Sequence, residues 1–290
     1  MILTQQTALF EDTENRMIPP RSIWKLADRN IFLGTSGYSY DDWIGPFYPR
    51  DTRKTSMLDY YQHFFPVVEL NFTYYTMPRA STLYQLGNRA PEMRFSVKAH
   101  QSLTHKRSGN KQEWREFADA MRVYHESDRL VAVLFQFPYS FKCSQSQFDY
   151  LDELAEFFEP LPLVFEFRHL SWFQDETYSL TRKRHVALCS VDAPRLPGLT
   201  SSFLFASPKI AYLRLHGRNA HNWFNGDNIT RYDYTYEKHE VHDIIRSILA
   251  LAEKADKVYV FANNHPRAQA IETVCSLALG LDEAGSLETF

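Results

Sequence analysis

Short apolar runs recur along the chain: IFLGTS at 31–36, VVELN at 67–71, RFSVK at 94–98, VAVLFQ at 131–136, LVFEFR at 163–168, VALCSVD at 186–192, IAYLRLH at 210–216 and KVYVFAN at 257–263. Each has the length and composition of a buried strand. Between them, MLDYYQHFF, EWREFADAMRVYH, FDYLDELAEFF and VHDIIRSILALAEKA place apolar residues at helical spacing. A last helix is predicted from Pro266 in its first turn, the stripe Ile271, Val274, Cys275 and Ala278, and Gly280 as its stop. Eight strand and helix units in this length predict an α/β chain folded as a single closed (β/α)₈ TIM barrel, with a doubly wound open sheet as the competitor. The repeat breaks twice. No helical pattern separates strands 6 and 7, and a long insertion, GRNAHNWFNGDNITRYDYTY, follows strand 7. The expected organisation is an N-terminal extension over 1–30, polar and interrupted by proline, and the barrel over 31–290.

Side chains alternate across a strand, so each run can be divided into two faces. Counting back from the strand ends puts Glu69 with Asn71, Ser96 with Lys98, Glu166 with Arg168, Ser190 with Asp192, and Arg214 with His216 on the inward face, with Gln136 and Asn263 ending their strands. Val68, Leu70, Phe95, Val97, Phe165, Phe167, Cys189 and Leu213 then face the outer helices. Burying unpaired charge is costly, so the inward charges require partners, water or a ligand. A barrel holds its chemistry at the C-terminal mouth. There Lys98, Arg168 and Arg214 are placed to bind an anion, and Glu69, Glu166 or Asp192 to move a proton. The competing reading is a structural network in which the carboxylates simply neutralise the cations. A metal is not expected, because three cations share the level of Glu69, Glu166, Asp192 and His216 and no ligand-spacing motif occurs.

The loops after the strands are rich in aromatic residues. GYSYDDWIGPFYP carries Tyr38 and Trp43, NFTYYTMP carries Tyr74, and Trp172 and Trp223 follow strands 5 and 7. Such rings suit stacking on sugars or bases, or a satellite core. Composition narrows the class. Lys plus Arg total 32 against 35 Asp plus Glu, a formal charge of -3 that lacks the basic footprint of a DNA coater. Cys143, Cys189 and Cys275 form no CxxC pair, and the chain has neither a secretory leader pattern nor an apolar run of membrane-spanning length, so a reducing, cytoplasmic location is expected. GxGxxG, Walker, GxSxG and HExxH patterns are all missing, which leaves no support for a nucleotide or other cofactor.

Taken in order, GTSGYSYDDWIGPFYP, VVELNFTYYTMP, RFSVKAHQSLTH, VLFQFP, FEFRHLSW, YLRLHGR and VYVFANNH resemble the YecE-like family, also called domain of unknown function 72. The resemblance covers about 31 to 279. It implies a TIM-barrel fold, no assigned activity and no cofactor. Its motifs fall here on Glu69, Asn71, Lys98, Thr104, His105, Glu166, Arg168, His169, Ser171, Trp172, Arg214, His216, Gly217, Asn263, Asn264 and His265. Tyr38 stands where that family commonly has Trp, and Ala262 where it has an aromatic residue.

The expectation is therefore a barrel with a polar pocket at its mouth for an anionic small molecule or phosphate-containing ligand, serving an acid–base hydrolase or lyase. In it Arg168 and Arg214 clamp the anion, Lys98 stabilises negative charge, and Glu69, Glu166 or His216 moves the proton. Tyr38, Trp43, Asn71, Tyr74, His105, Gln136, His169, Trp172, Asp192, Asn263 and Asn264 are the expected ligand contacts. The alternative is a noncatalytic barrel that binds nucleic acid through its aromatic loops and the basic THKRSGNK loop.

Overall fold

The computed structural model describes residues 23–26, 29–107, 110–201 and 203–287, so residues 1–22 and 27–28 of the expected extension lie outside the described residues. A short strand β1 (Trp24–Leu26) runs antiparallel to β2 (Arg29–Ser36). The barrel then continues through β3 (Val67–Leu70), β4 (Arg94–Lys98), β5 (Leu130–Gln136), β6 (Leu163–Glu166), β7 (Ala187–Asp192), β8 (Ile210–Leu215) and β9 (Lys257–Ala262). Each strand pairs in parallel with the next, and β9 returns to β2 with Leu33 opposite Val260, closing an eight-stranded TIM barrel.

The outer layer comprises α1 (Met57–Tyr61), α2 (Phe72–Tyr75), α3 (Ala80–Arg89), α4 (Lys111–His125), α5 (Gln145–Phe158), α6 (Asp175–Lys183), α7 (Lys238–Ala252) and α8 (Gln269–Leu287). Three of these, α2, α3 and α6, were not read from the sequence. The single turn α2 buries only Thr73, while α3 buries Leu83 and Gly87 and α6 buries Thr177 and Thr181, too few to write a periodic stripe. Helix α8 does not stop at Gly280. A Cβ there would lie 2.2 Å from Ile245 Cδ1 on α7, so this glycine allows two helices to approach closely.

Both irregularities expected around strand 7 are present, and both have a use. Between β7 and β8 a loop substitutes for the missing helix. Phe203 and Phe205 stack on Phe173 at 5.0 and 5.1 Å, and Thr200 Oγ1 donates to the Phe167 carbonyl at 2.7 Å, so the loop covers this flank of the barrel. After β8, the insertion brings Trp223 and Tyr232 to 6.1 and 5.7 Å from the His216 ring. It therefore roofs part of the mouth.

The barrel interior is apolar at its base, where Phe32, Val67, Ala132, Val164, Ala187, Cys189, Tyr212, Tyr259 and Phe261 form one cluster. Cys189 belongs to that inner cluster, which corrects the phase expected for β7. Its inward residues are Ala187, Cys189 and Val191, whereas Ser190 and Asp192 point outward. A parallel barrel covers both faces of every strand, so hydrophobicity does not fix the phase of a short run. Ser190 Oγ instead accepts from the Phe205 amide at 2.8 Å, tying down the flanking loop.

Candidate functional site

Five strands, β2, β3, β4, β6 and β8, converge on one buried polar network. Tyr212 and Arg214 lie two residues apart on β8 and therefore face inward one above the other. Arg214 Nη1 donates to Glu166 Oε2 at 2.6 Å and Nη2 to Glu69 Oε1 at 2.7 Å, so one guanidinium bridges carboxylates from β6 and β3. Tyr212 donates its hydroxyl to Glu69 Oε2 at 2.8 Å and lies 2.6 Å from Ser96 Oγ. His216 Nε2 is 3.2 Å from Glu166 Oε1, and its Nδ1 is 2.9 Å from Asn263 Nδ2. An amide nitrogen only donates, so Nδ1 accepts and Nε2–H faces the carboxylate, the neutral tautomer.

Glu69, Glu166 and His216 are fully buried, and Arg214 is 1% exposed. Burial alone would raise the Glu166 pKa, but Arg168, Arg214 and His216 hold its carboxyl well below the usual range. Burial would likewise lower the Arg214 pKa, and Glu166 and Glu69 reverse it. The His216 imidazole is driven well below its ordinary value by burial and then by Arg168, against Glu166. These groups form a mutually neutralised floor. Arg214 has both Nη atoms committed to carboxylates and His216 has both ring nitrogens engaged, so the expected anion clamp by Arg214 and proton transfer by His216 are not what the geometry offers.

Arg168 and Lys98 differ. Arg168 follows Glu166 by two positions and lies one layer further out, its Nε 2.7 Å from Glu166 Oε1 and its Cζ 5.4 Å from the Trp223 ring centroid. Its two Nη atoms have no partner among the described residues. Lys98, at the end of β4, is partly buried and has Nζ 4.6 Å from the Tyr74 ring centroid, with no hydrogen bond or ion pair among the described residues. Burial, then Arg214, then Arg168 push its pKa down to about 7 against the pull of Glu69 and Glu166. Beside it, burial together with Lys98, Arg107 and Arg168 lowers the His105 pKa to about 4. The outer layer of the mouth is thus positive, while its carboxylates are consumed in the floor.

The other expected contacts divide. Tyr74 and His105 meet edge to face at 5.0 Å beside Lys98. Gln136 lies opposite Glu166 in the β5–β6 register, and Asn71 leaves a buried Oδ1 without a partner. His169 sits at the rim, its Nδ1 accepting from the Ser171 amide at 3.1 Å. Five residues lie elsewhere. Trp43 is fully buried in a satellite core with Phe47 and Tyr48, donating Nε1–H to the His265 carbonyl at 2.7 Å. Tyr38 packs on Tyr61 in the same region. Trp172 stacks on Phe167 at 4.5 Å and donates to the Phe141 carbonyl at 2.6 Å. Asn264 donates to Tyr234 O and Thr273 Oγ1, both at 2.9 Å. Asp192 joins a separate cluster, accepting from Arg218 Nη2 at 2.7 Å and the Tyr236 hydroxyl at 2.8 Å.

Sequence reasoning missed Tyr212, Ser36 and Tyr40. Tyr212 was hidden in an apolar run, although its spacing of two from Arg214 marks the shared face. Ser36 Oγ lies 3.4 Å from Arg214 Nη2. Tyr40 stacks on His265 at 4.7 Å and donates to the Ser36 carbonyl at 2.7 Å. Gly217 turns the chain out of the mouth at φ +78, where a Cβ would lie 2.5 Å from Tyr234 Cβ. Gly217→Ala is expected to cost roughly 1–3 kcal/mol, read as a lowered urea midpoint. An unchanged midpoint would mean that the turn relaxes freely.

Comparison with known proteins bears on this site. A family model described as protein of unknown function DUF72 matches residues 32–288. The UPF0759 protein YunF of Bacillus subtilis (strain 168) is 31% identical over 260 residues, which is 83% of this chain and 91% of that one. A solved DUF72 family protein from Thermotoga maritima MSB8 is 36% identical with a TM-score of 0.78, covering 87% of this chain and 99% of its own. Another, from Enterococcus faecalis V583, is 25% identical with a TM-score of 0.77, covering 87% and 95%.

Proposed function

The chain belongs to the DUF72 family of proteins of unknown function, and from that premise we propose that its C-terminal mouth binds a small anionic ligand, carboxylate or phosphate, between Arg168 and Lys98. The observation that carries this reading is the unspent positive charge above a neutralised floor. Glu69 and Glu166 are held by Arg214, whereas the Arg168 Nη atoms and Lys98 Nζ have no partner among the described residues. Buried cations in low dielectric favour an anion strongly, and a guanidinium offers parallel donors to its oxygens. Trp223 packs beside Arg168 and Tyr74 beside Lys98, so aromatic rings flank both cations.

Glu69, Glu166 and His216 are engaged with one another, which leaves Lys98 as the group able to move a proton in either expected reaction. The reading is therefore a cofactor-independent hydrolase or lyase, or a binding protein, in the cytoplasm, where the free thiols of Cys143, Cys189 and Cys275 would persist. The nucleic-acid alternative loses Trp43, Phe47 and Tyr48, which are buried and not available to stack on bases, but keeps the exposed Phe72 and Tyr75 of the second aromatic loop. Among the described residues no helix is long and apolar enough to cross a membrane.

Thermal unfolding in the presence of inorganic phosphate, sugar phosphates and short carboxylates tests the reading. One class of anion at about 100 times its dissociation constant should add about 2.7 kcal/mol of stability, and Arg168→Met should abolish that gain at unchanged ionic strength. If no anion stabilises the wild type, or if Arg168→Met responds equally, the anion site is wrong.

A further inference from the structure

We propose that Lys98 is a nucleophile that forms an imine with an oxo compound bearing an anionic group; the anionic part of this proposal rests on the reading above. Lys98 differs in its setting from the other cations described at the mouth. Arg214 is locked between two carboxylates, and Arg168 lies against Glu166, but Lys98 Nζ faces the Tyr74 ring with no acceptor among the described residues. A buried ammonium without an acceptor is poorly solvated, and losing its proton relieves that cost. The neighbouring cations act in the same direction, and the result is an amine that gives up its proton at about 7 and is present in both forms at neutrality. Desolvation beside another cation is the arrangement that activates a lysine for attack on a carbonyl. The charged and titratable groups facing it are Glu69 on β3, Glu166 and Arg168 on and after β6, Arg214 on β8, Tyr74 on α2, and His105 after β4.

The chemistry balances without any cofactor. The Nζ lone pair forms a bond to the carbonyl carbon, the C=O π pair moves to oxygen, and one of the two protons on the now cationic nitrogen passes through water to that oxygen, giving a neutral carbinolamine. The carbinolamine then loses its N–H proton and its hydroxyl group as one water molecule, leaving C=N. Protonated, this imine withdraws electrons from the adjacent carbon and so eases cleavage of the next bond, which is the chemistry of a lyase. Arg168, one layer out with both Nη atoms unpartnered among the described residues, would hold the carboxylate or phosphate of the substrate.

Borohydride reduction separates this proposal from simple anion binding. The full-length protein is incubated with pyruvate, dihydroxyacetone phosphate or acetone, reduced with sodium borohydride, digested and mapped by mass spectrometry. The expected result is a peptide containing Lys98 that is heavier by the probe less one oxygen atom. Labelling should be at least tenfold greater with an anionic probe than with acetone, and which of the two anionic probes labels decides between carboxylate and phosphate. Lys98→Arg, which retains the charge, should fold and remain unlabelled. Modification only of surface lysines, or none at Lys98, overturns the imine. If inorganic phosphate still stabilises the protein through Arg168 in that case, the anion reading survives alone. If Lys98 is labelled equally by acetone and phosphate does not compete, the imine stands and the anion reading falls.

Discussion

Arg214→Met is expected to destabilise the protein by about 3–5 kcal/mol, which for a chain of this size lowers Tm by on the order of 10 °C. Arg214 is the only positive partner within hydrogen-bond distance of Glu69 among the described residues, and it also binds Glu166. Removing it leaves Glu69 uncompensated in a fully buried position, with Tyr212 as the one remaining side-chain donor among the described residues. Glu166 retains Arg168 and His216, so the larger cost falls on the β3 side. Lys at 214 would not restore the loss, because a point charge on a flexible stem does not span two carboxylates as a planar fork does. The double variant Arg214→Met with Glu69→Gln should recover about 1 kcal/mol or more, the coupling expected of groups in direct contact. A loss under about 1 kcal/mol for Arg214→Met would mean that water reaches the floor or that the carboxylates are protonated there.

The barrel was legible because each strand carried an apolar run and polar residues gathered at the same end of several runs. That second signal is what a TIM barrel writes, since its base is packed and its mouth is chemical. Glu69, Glu166, Arg214, His216 and Asn263 do meet, as alternation predicted. Alternation could not supply the phase of β7, and Asp192 shows the cost. Its carboxylate serves Arg218, Tyr236 and, through Arg218, Glu240 on α7. Nor could it say which cations were already satisfied. That depends on distances across the barrel between residues 145 apart in sequence, such as Glu69 and Arg214. The aromatic loops were ambiguous for a further reason. A tryptophan has the same composition whether its indole N–H meets a ligand or, as for Trp43 and Trp172, a backbone carbonyl.

Lys98→Met is expected to change the pH dependence of stability more than its level. The folded chain releases the Lys98 proton at about 7, whereas an unfolded lysine holds it to about 10.4. Between those values the unfolded state binds one more proton, so wild-type stability rises with pH, at up to about 1.4 kcal/mol per unit, reduced because Lys98 keeps some contact with solvent. Below the folded value both states are protonated and the full cost of burying the ammonium is present. The variant has no such group. It should therefore exceed the wild type most at about pH 6 and converge on it toward about pH 9.5, measured as the difference between their urea unfolding curves. Other groups titrate in this window. The buried thiols of Cys189 and Cys275 are raised by burial, and so are the hydroxyls of Tyr40, Tyr61 and Tyr212. Each of these loses stability as pH rises past its unfolded value, but they are common to both proteins and cancel in the difference. Saturating phosphate should oppose the slope, because an anion beside Lys98 favours its charged form and moves its release to higher pH. Two parallel curves would mean that Lys98 keeps its proton well above neutrality. The residue would then still help to hold an anion, but it would be too rarely unprotonated at neutral pH to act as a nucleophile.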